Sequence, residues 1–242
     1  MRLFSSSADD YYDHSTADFP PAIRVLLAVV MGILWAFSKL MWHWSVEDSD
    51  KLFTREGDRG SVVICNHTSM AEVLPIVTSL YFSGRWPRPI FKSEFAKSRI
   101  VQWAFSRAGG IPVERGSADM RALRRAQHAL QRGEDVLIFP EGTRVRSDDQ
   151  HVEIHGGFAL IAQMGKADVR PLAVCGFRDI TPEGKKLMRP MTCWLKAGDA
   201  LSLDDAPEDM KRKERLIWLE HTAMDRVFAL RDGLRASHPG RF

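Results

Sequence analysis

The sequence VLIFPEGTR, residues 136–144, predicts a buried strand that runs into a sharp, charged turn. Its first three residues are apolar, a pattern typical of a strand inside a sheet. Pro140 and Gly142 then stop the strand and begin a loop. Glu141 and Arg144 lie three residues apart on this loop. Because an arginine can bind a phosphate through two parallel hydrogen bonds, the turn suits an anionic, hydroxyl-bearing substrate.

A second junction between a strand and a loop lies upstream, where the β-branched run 61–65 is followed by NHTSMAE, residues 66–72. A histidine can act as a general base toward an alcohol, and it works best when a carboxylate fixes its tautomer. Glu72 lies five residues after His67 and can do this if the intervening turn starts a helix. His67 and Glu72 are therefore the candidate catalytic residues.

The sequence leaves alternatives open for this pair. Ser69 and Glu72 also fit a capping box, in which the glutamate accepts a hydrogen bond from the N-cap amide. The same spacing of a histidine and an acid recurs at His43 and Asp48, but an apolar helix precedes that pair and no strand does. We therefore prefer His67 as the base.

The rest of the chain alternates between short apolar strands and segments of helical periodicity. This alternation predicts an α/β domain with a mostly parallel or mixed sheet flanked by helices. Strands are expected near Ile90, Ile111, Val136, Leu172 and Trp194, and helices over 96–105, 118–130, 158–164 and 208–234. Loops beyond the strand ends would then carry the site, as is usual in such sheets.

Four sequence blocks in order resemble the glycerolipid acyltransferase family of the 1-acylglycerol-3-phosphate acyltransferase type. They are H-x-x-x-x-[DE] at 67–72, G-x-I-x-x-x-R at 109–115, FPEGTR at 139–144 and a proline-centred strand at 169–174. The third matches without a substitution, whereas the first has glutamate where many members have aspartate. Ala173 replaces a common second proline, and His155 stands where a lysine is frequent. The resemblance covers roughly residues 53–201.

The resemblance implies roles for residues on three loops. Arg115 and Arg144 would bind the substrate phosphate together and position it. Lys92, after another apolar strand, would be a further substrate contact. The remaining substrate-binding candidates are Glu141, Gly142 and Thr143. Without the resemblance, a solvated arginine at a helix start is the better interpretation of Arg115, and the alternative for Lys92 is an exposed strand end.

The implied reaction is acyl transfer from a thioester to a hydroxyl. His67 would take the proton of the free hydroxyl of a lysophospholipid, whose oxygen attacks the thioester directly, without an acyl-enzyme. Backbone N–H groups near the Glu141–Thr143 turn would stabilise the oxyanion. No metal or cofactor is expected, because a thioester is already activated and the histidines and cysteines lack ligand spacing.

The most specific expectation is conversion of 1-acylglycerol 3-phosphate to phosphatidic acid in phospholipid biosynthesis. The donor would be a coenzyme A or an acyl-carrier-protein thioester, and the sequence does not choose between them. One alternative changes the acceptor to another lyso-lipid, such as lyso-ornithine lipid. An alternative from another class is an inactive lipid-binding protein on the same fold.

Length and composition agree with an intracellular enzyme. A chain of 242 residues can bury one sizeable core. A net charge of +3 is too balanced to suggest a nucleic-acid partner. Three scattered cysteines indicate a reducing compartment. Cys65, just before His67, invites a Cys–His nucleophile, but its place within the apolar strand favours a small buried residue.

The N-terminal part divides into residues 1–21, a mobile polar tail, and residues 22–44, a membrane-associated helix; the acyltransferase domain would occupy 45–242. The helix is long enough to span a bilayer or to lie in its plane. Trp35, Trp42 and Trp44 fit an interfacial aromatic belt. The alternative is a buried core helix. We expect the cytoplasmic membrane, with the catalytic domain facing the cytoplasm.

Overall fold

The computed structural model describes residues 7–54, 57–114, 119–181, 185 and 187–242. The strands in these ranges are β1 Ser45–Glu47, β2 Val62–Cys65, β3 Pro87–Lys92, β4 Ile111–Val113, β5 Asp135–Ile138, β6 Val169–Cys175 and β7 Trp194–Ala197. The α-helices are α1 Ala8–Asp13, α2 Pro21–Trp42, α3 Ser49–Phe53, α4 Val73–Phe82, α5 Arg99–Arg107, α6 Met120–Gln131, α7 Gly157–Gly165 and α8 Arg212–Ser237.

The strands form one sheet in the order β1-β7-β6-β2-β5-β3-β4. Strands β2 to β6 are mutually parallel, β7 is antiparallel to β6, and β1 is parallel to β7. Every residue of β2 and β6 is buried, as expected for parallel strands covered on both faces. The predicted mixed sheet flanked by helices is therefore confirmed.

Helices cover both faces of the sheet. The connections through α4 and α5 move across the sheet in one direction, and those through α6 and α7 move back. Because such crossovers are right-handed, α4 and α5 lie on one face and α6 and α7 on the other. The two main core clusters agree with this arrangement, since one joins α2 and α4 to the sheet and the other joins α6, α7 and α8.

Residues 1–6 of the predicted mobile tail lie outside the described residues, and the rest of the tail differs from the prediction. Over residues 7–20 the chain packs against the domain, and Asp9 and Asp13 each lie 2.6 Å from the guanidinium of Arg125 on α6. Arg88 on β3 donates to the carbonyl of Tyr12 at 2.7 Å. The buried aromatic residues of this segment are Tyr11, Tyr12 and Phe19. These partners are about a hundred residues away, so a local composition pattern does not show them.

Helix α2 begins at Pro21 and ends where His43 adopts a left-handed conformation with φ 36°. One of its faces packs on α4, and the buried residues of that face are Leu27, Met31, Ser38 and Trp42. The helix is long and apolar enough to cross a membrane. Of the predicted tryptophan belt only Trp35 is exposed, because Trp42 and Trp44 are buried in the core.

Candidate active site

The register of the sheet brings the two sequence motifs together. Ile64 of β2 lies beside Ile138 of β5, and the two strands are parallel. His67 and Glu141 each follow three residues after this pair, so they emerge side by side at the carboxyl edge of the sheet. The backbone N–H of His67 donates to Oε2 of Glu141 at 2.6 Å. The N–H of Val145 donates to the carbonyl oxygen of His67 at 2.7 Å.

The His67 ring is held by Glu72. Nδ1 of His67 lies 2.7 Å from Oε1 of Glu72, and Glu72 is fully buried. The carboxylate can only accept hydrogen bonds, so this contact places the ring proton on Nδ1 and leaves Nε2 as the base. Among the described residues, no protein group is hydrogen-bonded to Nε2. The ring of Phe139 packs on the imidazole with centroids 4.3 Å apart.

Glu72 makes both of the contacts that the sequence left open, the capping hydrogen bond and the contact with the His67 ring. A 3₁₀ turn over Met70–Glu72 brings the carboxylate back toward His67. Oε2 of Glu72 accepts from the Ser69 N–H at 3.0 Å and from the Thr68 hydroxyl at 2.7 Å. The Thr68 N–H donates to Oε1 at 2.9 Å. Glu72 is thus saturated with protein donors and positions His67 without touching a substrate.

Glu141 is a buried positioning residue in this structure, which differs from its predicted role as a substrate contact. It is 5% exposed, and its carboxylate bonds to the His67 amide. Burial raises the pKa of Glu141 to about 7, partly offset by the hydrogen bond from the His67 amide. The position of the His67 loop therefore depends on a carboxyl group that titrates near neutral pH.

This raised pKa predicts a pH-dependent stability. Between the ordinary value of 4.5 and about 7, the folded protein binds the proton of Glu141 more tightly than the unfolded chain does. The Glu141 carboxyl therefore makes the free energy of unfolding fall as pH rises through this window. Because glutamine does not titrate, the free energy of unfolding of Glu141→Gln should not fall in this way. Relative to wild type it should rise by up to roughly 3 kcal/mol as the pH increases from 4.5 to about 7.

Chemical denaturation of the purified protein at several pH values measures this difference. Glu153→Gln, a change at an exposed loop glutamate, is the matched control and should follow the wild-type curve. Parallel curves for Glu141→Gln and wild type would show that Glu141 titrates normally.

The turn after Glu141 does not supply the expected oxyanion donors through its next two amides. Gly142 adopts a left-handed conformation with φ 60°. Its N–H donates to the carbonyl of Phe139 at 2.9 Å, and the Thr143 N–H donates to the carbonyl of Glu141 at 2.7 Å. Both amides are therefore engaged inside the turn, and their hydrogen bonds fix its shape.

Arg144 is exposed on the same loop, one residue before Val145. The loop is anchored further along by Asp148, whose Oδ1 lies 3.0 Å from Arg178 and 3.1 Å from Arg235. Gln150 also donates to the carbonyl of Arg144 at 3.2 Å. The structure thus places a solvent-accessible guanidinium on the loop that contacts His67.

Of the two remaining predicted substrate contacts, Lys92 and Arg115, only Lys92 lies within the described residues. Lys92 is the last residue of β3, and β5 lies between β3 and β2. At ordinary strand spacing the ends of β3 and β2 are about 10 Å apart. Arg115 lies outside the described residues, two positions after the end of β4. The roles of Lys92 and Arg115 therefore remain predictions.

Asn66 is a site residue that the sequence patterns missed. Its side-chain amide donates to the carbonyl of Val174 at 3.2 Å and accepts from the Val174 N–H at 2.8 Å. This pair of bonds ties the start of the His67 loop to β6. Cys65 is fully buried, and burial raises the pKa of its thiol well above the ordinary value. The structure therefore agrees with a packing role for Cys65.

The fold and the site define a class of enzyme. A histidine oriented by a carboxylate, at the carboxyl edge of a parallel sheet and without an activated cysteine beside it, suits general-base transfer to a hydroxyl. The family model described as Acyltransferase matches residues 20–175. Since this is more than half of the chain, the protein belongs to the acyltransferase family.

Individual relatives agree with this assignment. The 1-acyl-sn-glycerol-3-phosphate acyltransferase of Bacillus subtilis is 28% identical over 196 residues, which are 78% of this chain and 92% of that protein. The lyso-ornithine lipid O-acyltransferase of Pseudomonas aeruginosa is 29% identical over 125 residues, 50% of this chain and 45% of that protein.

The fold is also similar to a solved structure. The crystal structure of the 1-acyl-sn-glycerophosphate (LPA) acyltransferase PlsC from Thermotoga maritima superposes with a TM-score of 0.62. The match covers 89% of this chain and 85% of that chain at 22% sequence identity. At this identity the likeness shows the shared fold.

Proposed function

We propose that the protein transfers a fatty acyl group from a thioester to the free hydroxyl of 1-acylglycerol 3-phosphate, giving phosphatidic acid for phospholipid biosynthesis. The observation that carries the proposal is the His67 ring, fixed by Glu72 and interlocked with the loop that exposes Arg144. The Bacillus subtilis relative, nearly all of whose length is matched, is named for this activity.

The geometry supports one order of events. Nε2 of His67 takes the hydroxyl proton while the acceptor oxygen attacks the thioester carbonyl. The Glu72 carboxylate stabilises the imidazolium that forms. The tetrahedral intermediate collapses, the carbon–sulfur bond breaks, and the leaving thiolate takes the proton from His67. The products are an ester and a free thiol, and His67 returns to its starting state.

Arg144 supplies the proposed recognition of the acceptor headgroup. An exposed guanidinium on the loop beside His67 can bind a phosphate at the distance of a neighbouring hydroxyl. Arg115 is proposed as a second cation for the same phosphate, and Lys92 as a contact further along the sheet edge. Binding the phosphate in this way would hold the hydroxyl against Nε2.

Helix α2 is the proposed membrane attachment. The face opposite its contact with α4 exposes apolar side chains, and these include Val25, Val29, Ile33 and Leu40, which are 55–72% exposed. Because α2 packs along the catalytic domain on one face and is apolar on the other, an in-plane helix fits better than an isolated span. We propose that the domain faces the cytoplasm, where its substrates would be made.

A second acceptor is favoured by one comparison. The Pseudomonas aeruginosa relative named for lyso-ornithine lipid is as similar in identity as the Bacillus subtilis one, over a shorter stretch. Lyso-ornithine lipid lacks a phosphate, so it would not use the Arg144 contact in the same way. If lyso-ornithine lipid is the acceptor, its KM should therefore depend less on Arg144 than the KM for a phosphate-bearing acceptor would.

Product identification tests the proposal. The purified protein is given coenzyme A and acyl-carrier-protein thioesters, each with 1-acylglycerol 3-phosphate, lyso-ornithine lipid or another lysophospholipid, and the products are identified by mass spectrometry. We expect phosphatidic acid to form fastest. Product only from lyso-ornithine lipid would establish the second acceptor, and no product from any pair would favour an inactive lipid-binding protein.

A further inference from the structure

The segment after β3 exposes large apolar side chains that the proposed chemistry does not use. Phe95 is 50% exposed, Ile100 is 80% exposed and Trp103 is 48% exposed. Phe95 lies in a 3₁₀ turn, Ser93–Lys97, and the other two lie one turn apart on α5. We call these three residues, with Lys97 and Arg99, the α5 surface. Large exposed apolar groups that cluster in this way mark contact sites.

The α5 surface begins at the same edge of the sheet as the active site. Its 3₁₀ turn directly follows the carboxyl end of β3, and His67 follows the carboxyl end of β2, which is parallel to β3 through β5. Helices α4 and α5 share one face of the sheet, and α2 packs on α4. The α5 surface and the apolar side of α2 therefore belong to the same half of the molecule.

The charges of this segment suit an anionic lipid surface. Between residues 92 and 107 there are four basic residues and one acidic residue, Glu94. Lys97 and Arg99 are exposed at the start of α5, where a positive charge is unfavourable to the helix dipole. Local helix stability therefore does not explain these cations, whereas anionic headgroups attract them.

We propose that the α5 surface is a second membrane contact, in which Phe95, Ile100 and Trp103 enter the lipid and Lys97 and Arg99 bind anionic headgroups. This inference rests on the proposed action on membrane lipids. Two contacts on one side, α2 and the α5 surface, fix the orientation of the domain. They bring the carboxyl edge of the sheet, and with it His67, to the bilayer surface, where a lyso-lipid acceptor resides.

Site-specific labelling of the full chain tests this proposal. The three native cysteines are buried, so an environment-sensitive fluorophore can be attached at Ile100→Cys. Ile217→Cys, at a 45% exposed isoleucine on α8 across the sheet, is the matched control. Ile33→Cys, on the exposed side of α2, reports the proposed attachment itself. Each protein is mixed with phosphatidylglycerol–phosphatidylcholine vesicles that carry nitroxide-labelled lipid.

We expect the label at position 100 to shift its emission to the blue and to be quenched, while the label at position 217 is unchanged. Quenching at position 33 without quenching at position 100 would overturn the inference and leave membrane attachment through α2 standing. Quenching at neither position would overturn both. A label at position 100 that responds only to an added acidic acyl carrier protein would replace the lipid with a protein partner.

A charge reversal gives a second test. In Lys97→Glu/Arg99→Glu, quenching of the label at position 100 should fall by about half or more on anionic vesicles. The reason is that each basic side chain near an anionic membrane is attracted to that membrane, and the variant removes two of them. Arg124→Glu/Lys213→Glu, at exposed residues of α6 and of the segment that starts α8, is the control and should leave quenching unchanged. Equal quenching in both double variants would exclude headgroup binding by Lys97 and Arg99.

Discussion

Replacing His67 by alanine is expected to lower the kcat of acyl transfer by roughly a thousandfold, because a positioned general base contributes 10²–10⁴ in rate. The KM values should change little, since the ring acts on the proton of the acceptor and does not bind its headgroup. Transfer is measured by product formation with the purified protein. The backbone of residue 67 makes the contacts to Glu141 and Val145, so the fold should persist.

His128→Ala is the matched control, because His128 is an exposed histidine near the end of α6, at the opposite edge of the sheet. It should keep wild-type turnover. Glu72→Gln should lower kcat while leaving KM close to wild type, since the amide no longer stabilises the imidazolium. Full activity in His67→Ala would refute the role of His67. Equal losses of activity in His67→Ala and His128→Ala would show that the substitutions damage the fold.

Replacing Arg144 by alanine should raise the KM for 1-acylglycerol 3-phosphate by about tenfold or more, since hydrogen bonds to charged groups contribute about 1.5–3 kcal/mol. The kcat should fall less. The structure supports this expectation because the Arg144 side chain is exposed on a loop that is anchored to His67 and, further along, to Arg178. Initial rates over a range of acceptor concentrations measure both constants.

Arg124→Ala, at an exposed arginine on α6, is the control for Arg144→Ala and should behave as wild type. Arg144→Lys should recover only part of the affinity, because an ammonium cannot form the two parallel bonds. An unchanged KM for the phosphate-bearing acceptor in Arg144→Ala would place the phosphate elsewhere. For lyso-ornithine lipid, by contrast, we expect Arg144→Ala to leave the KM unchanged, since that acceptor has no phosphate.

The central strands could be predicted because burial on both faces demands continuous apolar, β-branched sequence. This holds fully for β2, whereas β5 and β6 are almost entirely buried but each include one buried charged residue, Asp135 and Arg170. Strand β1 escaped prediction because Ser45–Glu47 is short and partly polar, and it is a strand only through its pairing with β7. The packing of Asp9 and Asp13 on Arg125 was missed for a related reason, since the partners are far apart in sequence.

The dyad could be predicted because its two members are close in sequence and a short turn joins them. The role of Glu141 could not, because its partner is the backbone amide of His67, 74 residues away, and backbone groups leave no sequence pattern. Only the register of β2 against β5 brings these groups together. Arg144 and Lys92 remain predictions, since the shape of a phosphate site depends on a ligand and on several loops.

Thiol release from the acyl donor tests most directly the claim that His67 activates a lipid hydroxyl for direct attack. Thiol is followed in single turnovers of excess protein, with and without 1-acylglycerol 3-phosphate. We predict that wild type releases thiol only when the acceptor is present, and that His67→Ala releases almost none in either case. A stoichiometric burst of thiol from wild type without acceptor would reveal an acyl-enzyme and contradict the mechanism.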